Sequence, residues 1–266
     1  MIKVLYIILI SLFSLLVISC SKKDNSSSSL STSTSGTVQW TQLLGTSSDE
    51  SGSGVAVDSS DNIYVTGDTS GGLNGNTNAG ESDMFLIKYD SSGISQWTQQ
   101  LGTSPYSDFG HGVIADSSDN IYVVGNTSGG LDGNTNLGST DAFLVKYNSS
   151  GTKQWTQQLG TSSVDGAQGV TVDSSNNIYV TGSTSGGLDG NTNSGNSDIF
   201  LIKYNSSGIK QWTKQLGTSA SEYAYGITVD SSNNIYVTGR TGGALDGTNS
   251  GSNDIFLVKY NSSGTK

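Results

Sequence analysis

The stretch YNSSGTKQWTQQLGT, from Tyr147 to Thr161, is one of three near-identical copies. YDSSGISQWTQQLGT begins at Tyr89 and YNSSGIKQWTKQLGT at Tyr204, whereas a fourth copy, YNSSGTK, runs from Tyr260 to Lys266 without its tryptophan. The remaining tryptophan is Trp40, in VQWTQLLGT near the N-terminus. The tryptophans at 40, 97, 155 and 212 stand 57 or 58 residues apart, and NIYV recurs at Asn62, Asn120, Asn177 and Asn234 with the same spacing. A period of that size marks a propeller, a solenoid or an array.

Each period carries strand signals. GVAVD (54–58) is a short apolar run, SSDN is a turn, and IYVTG (63–67) is β-branched and aromatic. A Gly/Asn-rich loop, SGGLNGNTNAGESD, leads to MFLIKY (84–89), then the turn DSSG and QWTQQLG (96–102). The pattern predicts four strands, A to D, in an up-and-down antiparallel unit. MFLIKY is apolar at both parities, so both faces of that strand are expected to be buried. Sheets packed face to face around an axis achieve this, which selects a β-propeller of four four-stranded blades. A stacked solenoid is the second reading, but it would need distinct capping repeats. If Gln39, Trp40 and Thr41 supply the D strand of the last blade, the count of strands is whole. The ring is then expected to close by pairing of the two chain ends, which removes an open edge.

GVAVDSSDNIYVTGDTSG together with DMFLIKYDSSG and the following QW closely resembles the SBBP β-propeller repeat, related to the NHL type. The resemblance covers residues 37–266 and implies a propeller of the bacterial envelope. It carries no catalytic residue and no settled activity. The family name implies seven blades, whereas four repeats are present here, so either the ring is four-bladed or chains associate to complete a larger one. NSSGTKQW also resembles the inter-strand turn of quinone-binding propeller repeats, a motif shared with cofactor-free propellers, so no organic cofactor is expected.

Residues 1–19 read as a signal peptide: a short basic start, then an apolar stretch shorter than the roughly 20 residues of a membrane span. Val17-Ile18-Ser19-Cys20 resembles a bacterial lipobox, and Cys20, the only cysteine, is the expected lipid attachment site. Residues 20–36 then form a Ser/Thr-rich tether with a span of roughly 20–25 Å. The expected location is the bacterial envelope, lipid-anchored at the outer membrane or cell surface. A net charge of −10 argues against nucleic acid as a partner and against binding to anionic headgroups, so the membrane is reached through the lipid alone. The ligand class left is a protein or a glycan.

Chemistry-bearing residues are few. His111 is the only histidine, and the aligned positions hold Ser53, Gln168 and Tyr225, so multi-histidine zinc sites are excluded and a His-dependent triad would need this one residue. Asp58, Asp116, Asp173 and Asp230 close strand A in every repeat, as expected of Asx turns. The B–C loops place Asp132, Asn134, Asn136 and Asp141, and likewise Asp189, Asn191, Asn193 and Asp198, at spacings reminiscent of a calcium loop. The glycine comes one place late and the bidentate Glu is missing, so Asx turns are the first reading and calcium the second.

By topology the B–C loops and D-to-A connections share one face. The A–B and C–D turns of the other face hardly vary, whereas the connections diverge: SSDESGS, SPYSDFGH, SSVDGAQ and SASEYAY. Tyr106, Phe109, His111, Tyr223 and Tyr225 lie in this variable part and are the candidate ligand-binding residues. The expectation is a non-enzymatic binding or scaffolding propeller. The alternatives are a polysaccharide-active enzyme using loop carboxylates such as Asp108, Asp165 or Glu222, which lie in the variable connections and are not shared by all repeats, or a purely structural envelope protein. The lipid assignment has a direct check: palmitate labelling should mark the natural chain and be lost in Cys20→Ser, and equal labelling of both would refute it.

Overall fold

The computed structural model describes residues 38–266. The expected signal peptide, the expected lipid site Cys20 and the expected tether lie outside the described residues. Trp40–Lys266 folds as one unit of antiparallel sheets. The first blade comprises Glu50–Val57 (β1), Ile63–Thr69 (β2), Asp83–Tyr89 (β3) and Ser95–Leu101 (β4). The second comprises Asp108–Ala115 (β5), Ile121–Thr127 (β6), Asp141–Tyr147 (β7) and Lys153–Leu159 (β8). Asp165–Val172 (β9), Ile178–Thr184 (β10), Asp198–Tyr204 (β11) and Lys210–Leu216 (β12) form the third. The last contains Glu222–Val229 (β13), Ile235–Thr241 (β14) and Asp254–Tyr260 (β15). Each blade pairs its strands in chain order, and β1, β5, β9 and β13 pack side by side in series at the inner edge. The β-propeller architecture expected from the repeat is the one observed.

The A–B turn explains its own sequence. Asp116 Oδ1 accepts the backbone N–H of Ser118 at 2.8 Å and of Asn120 at 2.9 Å, and its Oδ2 accepts the Tyr122 hydroxyl at 2.9 Å. The same box forms around Asp58, Asp173 and Asp230. The residue before the asparagine sits at φ 62, 56, 59 and 61 in Asp61, Asp119, Asn176 and Asn233, a left-handed geometry that Asp and Asn tolerate.

The repeated tryptophan joins blade to blade. Trp97 lies 5.9 Å from Tyr64 of its own blade and covers Gly151, at φ +80, in the C–D turn of the next. A Cβ on Gly151 would meet the indole at 2.9 Å. Lys88 completes the cluster, its ammonium 5.4 Å from the centre of the Tyr64 ring and 3.3 Å from the Ser149 carbonyl of the next blade. Trp155 covers Gly208 and Trp212 covers Gly264 in the same way. Because each blade is covered by the next, β7 and β11 are buried on both faces, as the apolar run predicts.

The seam departs from the expected closure. Trp40 covers Gly93 of the first blade, the seat of a D strand belonging to a preceding blade. Among the described strands, however, β15 pairs with β14 alone, and residues 40–46 form no strand. One face of β15 stays bare, with Ile255 92% and Leu257 72% exposed. The fourth sheet therefore has three strands, and Trp40 does not stand beside β15.

The turn boxes set an acid limit on stability. Burial pushes Asp58 and Asp173 up, but the bonds from Asn62, Tyr64 and Ser60, and from Asn177, Ser175 and Tyr179, outweigh it and leave both below the ordinary value. The Asn234 side chain and backbone hold Asp230 down at about 2. A carboxyl lowered by folding stabilises the protein above its unfolded pKa, and that contribution is lost as pH falls through the folded one. Burial raises Asp108, which works in the opposite sense. Urea midpoints should fall as pH drops from about 4 towards 2. Asp173→Asn should flatten this acid limb and cost about 1–2 kcal/mol at neutral pH, since the Tyr179 hydroxyl loses an anionic acceptor.

Candidate functional site

The loop face is built where B–C loops and D-to-A connections interlock. Asp108 N donates to the Ser82 carbonyl at 2.8 Å and Glu81 N to the Tyr106 carbonyl at 3.0 Å. Each connection is then pinned by a buried acid at the start of the next A strand. Asp108 accepts Thr103 N at 2.7 Å, Asp165 accepts Thr161 N at 2.6 Å, and Glu222 accepts Thr218 N at 2.6 Å. Glu50 does the same for Thr46 at 2.9 Å. These acids therefore recur in all four blades, contrary to the sequence reading that set Asp108, Asp165 and Glu222 apart from a shared pattern. Those three are fully buried and also accept the hydroxyl of the same threonine, while Glu222 accepts Thr241 as well and Asp165 Oδ1 is left without a partner.

The candidate calcium residues are each engaged in hydrogen bonds of the loop, although Asp141 Oδ1, Asp198 Oδ1 and Asn193 Oδ1 are buried without a partner. Asp132 takes an ion pair from Lys153 and a hydrogen bond from Thr156, and Asp189 is held by Lys210 and Thr213. Asn134 and Asn191 donate to the Leu131 and Leu188 carbonyls, and Asn136 and Asn193 to those of Ser128 and Ser185. Asp141 and Asp198 accept Leu137 N and Ser194 N, plus Gln158 and Gln215 Nε2, all at 2.9 Å. Their Oδ1 atoms face Gly160 and Gly217, where even a Cβ would come within 2.0 and 1.9 Å. Among the described residues no group of three or more His, Cys, Asp or Glu could hold a metal.

The five candidate ligand-binding residues divide. Tyr106, 47% exposed, lies against Gly129 of the second blade's B–C loop. Phe109 and His111 lie on β5, Tyr223 and Tyr225 on β13, with β9 between those strands. Tyr225 is 51% exposed, and Tyr223 is half-buried beneath Arg240, whose guanidinium sits 4.7 Å from the ring centre.

A column missed at the sequence level joins them. His111 Nε2 shares a hydrogen bond with Asn126 Oδ1 on β6. Burial pushes Asp68 up, while the charge of nearby His111 pulls it down. Asp68, Asn126, Ser183 and Arg240 occupy the same place in each B strand, opposite Ser51, Phe109, Gly166 and Tyr223. Reading the repeat one residue past IYVTG or IYVVG shows this column: D, N, S and R, a different chemistry in each blade. The variable aromatics and the variable polar column thus lie together at the loop ends of the inner strands.

Because the carboxylates of these loops do not gather around a common point, calcium should leave folding unchanged. Thermal unfolding in EGTA and in millimolar calcium should give the same midpoint; a rise of several degrees with calcium would show that the loops bind it.

Several known proteins are similar to this chain. The sequence model of the SBBP family, described as a beta-propeller repeat, matches residues 39–74, 96–132, 154–189 and 211–245, together more than half of the chain. An uncharacterized WD repeat-containing protein of Acanthamoeba polyphaga mimivirus is 28% identical over 251 residues, covering 74% of this chain and 18% of the viral protein. The regulatory protein FlaEY of Caulobacter vibrioides is 29% identical over 205 residues, covering 69% of this chain and 21% of its own length. The chain thus spans about a fifth of either curated relative. Among solved structures, a Bacteroides caccae protein of unknown function aligns with a TM-score of 0.40 at 10% identity, covering 71% of this chain and 53% of its own. A gluconolactonase of Xanthomonas campestris aligns with a TM-score of 0.47 at 12% identity, covering 80% of this chain and 60% of its own. With four matches in register with the four sheets, this chain belongs to the SBBP β-propeller repeat family.

Proposed function

We propose that this chain is a non-enzymatic recognition or scaffolding module of the bacterial envelope, tethered through Cys20 and binding a protein or glycan by its loop face. The observation that carries the reading is the distribution of variation. The turn boxes and the Tyr–Trp–Lys clusters recur from blade to blade, whereas the B-strand column and the A-strand positions beside it differ in every blade. A scaffold that holds constant whatever packs and varies one cluster suits recognition rather than support alone. Arg240 stacked on Tyr223 supplies a cationic donor with an aromatic platform, and Asp68, His111 and Asn126 supply acceptors and donors across the inner strands. The names of the two curated relatives, a WD repeat-containing protein and a regulatory protein, accord with a binding role.

A glycan and host-matrix protein array probed with the chain is the test. Tyr223→Ala/Tyr225→Ala and Tyr106→Ala/Phe109→Ala should each weaken binding several-fold to thirtyfold, since a buried aromatic anchor contributes about 1–2 kcal/mol or more. Binding that survives both double variants would rule out this face, and turnover of an arrayed glycan would replace recognition with catalysis.

A further inference from the structure

In the first three B–C loops a residue in the left-handed region precedes a glycine: Asn74-Gly75, Asp132-Gly133 and Asp189-Gly190. The backbone is the same in all three, with φ/ψ of 50/38 at Asn74, 55/35 at Asp132 and 51/38 at Asp189. The anchorage is shared too. Leu73 N donates to Gln100 Oε1 at 3.1 Å, Leu131 N to Gln158 at 2.9 Å and Leu188 N to Gln215 at 3.0 Å. The backbone N–H groups of Asn76, Asn134 and Asn191 return to the carbonyls of those leucines. Each glycine is open. Beyond its chain neighbours, no atom lies within 4 Å of the place a Cβ would take at Gly75, Gly133 or Gly190.

The side chain before that glycine and its partner are what differ. Asp132 pairs with Lys153, Asp189 with Lys210 and, in the fourth repeat, Asp246 with Lys266. Where those aspartates stand the first repeat has Asn74, and where the lysines stand it has Ser95. The pair thus changes at both ends, from two charges to none. Asn74 is exposed, and its side chain makes one hydrogen bond, from Nδ2 to Thr98 Oγ1 at 2.7 Å. Asn74-Gly75 is the one Asn-Gly dipeptide in the sequence.

We infer that Asn74 is a site of spontaneous covalent modification, its amide being converted to a carboxylate through the Gly75 backbone. The Gly75 nitrogen gives its proton to solvent base and attacks Asn74 Cγ. The N–Cγ bond forms, the Cγ–Nδ2 bond breaks, and ammonia leaves with a proton from solvent, giving a succinimide ring. A water molecule then adds to either imide carbonyl and opens the ring, leaving aspartate or isoaspartate. Nothing is oxidised or reduced. Glycine suits the step, because it puts no side chain beside the attacking nitrogen. The Asp-Gly turns lack this route, since a carboxylate would have to expel an oxygen and is held besides by its lysine. Asn148 and Asn205 are followed by serine, and their Oδ1 atoms each accept two backbone N–H groups. The aspartate product fits the turn: Asp132 and Asp189 adopt that backbone and accept Thr156 and Thr213, the counterparts of Thr98. Isoaspartate fits poorly, because it adds a carbon to the main chain between Leu73 N and Asn76 N, which are both fixed. Either product adds a negative charge beside Ser95, where the other repeats hold a lysine.

The full-length chain, held folded in mildly alkaline buffer, should develop a more acidic band in isoelectric focusing. Peptide mapping by mass spectrometry should place the amide-to-acid exchange at residue 74 while Asn148 and Asn205 remain amides. Asn74→Gln should lose the acidic band, because the longer side chain does not close the same ring. Asn74→Asp should focus from the start where the aged chain ends. Asp132→Asn sets a second Asn-Gly on the same backbone and should gain a second converting site; its failure to convert would overturn the part given to the turn. An acidic band that persists in Asn74→Gln, or that Asn74→Asp does not match, would overturn the inference. So would a folded chain that keeps the Asn74 amide after another asparagine has been converted.

Discussion

A tryptophan ring laid over a glycine turn is the contact on which the rest of this structure depends. Trp97 is held from behind by Tyr64 and Lys88 and lies on a Gly151 that has no space for a Cβ. Burying one such ring is worth about 1.5–3 kcal/mol, and the seat recurs at every junction. It explains several features of the repeat together. The turn must be NSSG or DSSG, because only glycine combines φ near +80 with that clearance. Strand C must be apolar on both faces, because the seat brings the next sheet down on it. Its lysine survives in this apolar run because its stem lies along the sheet while its ammonium bonds the neighbouring turn.

Most of this architecture was legible in the sequence, since a repeat read four times averages out the ambiguity of any one strand. GVAV, IYVTG and MFLIKY each fall within an observed strand, and the DSSDN boxes formed the expected Asx bonds. The acids that pin the connections were misread because the position holds Glu at 50 and 222 but Asp at 108 and 165. A one-methylene change keeps the carboxylate on Thr46 or Thr103 but hides the column from a comparison of letters. The D, N, S and R column escaped because it carries no common residue type. Its meaning comes from cross-strand register, which places Arg240 on Tyr223 and Asn126 beside Phe109 and His111. Closure was misjudged for a different reason: strand counting shows which parts would make a whole blade, not whether they pair.

The division of labour between the two faces has a physical origin. On the face of the A–B and C–D turns, side chains satisfy the backbone of their own turn and also bond the turn of the next blade, as where the Ser59 hydroxyl donates to the Asp119 carboxylate and the Ser117 hydroxyl to the Asn176 side-chain carbonyl. Substitution there would disturb two blades at once. At the loop ends of the inner strands, the buried acids and the D-strand glutamines have already satisfied the backbone. The residues between them are therefore free to differ without a folding penalty, and that is where the differences accumulate.

The side-chain bonds from a turn or strand of one blade to the turn of the next all span between 52 and 61 residues. The entropic cost of closing a loop depends on that length, so it is nearly the same at every junction. Ordering one more blade is thus an equal step wherever it occurs, and stability grows as a sum of like terms between neighbours. Gene duplication of a single period would insert a blade without lengthening any of these loops. In such a chain the number of blades can change while the fold and its folding route stay the same.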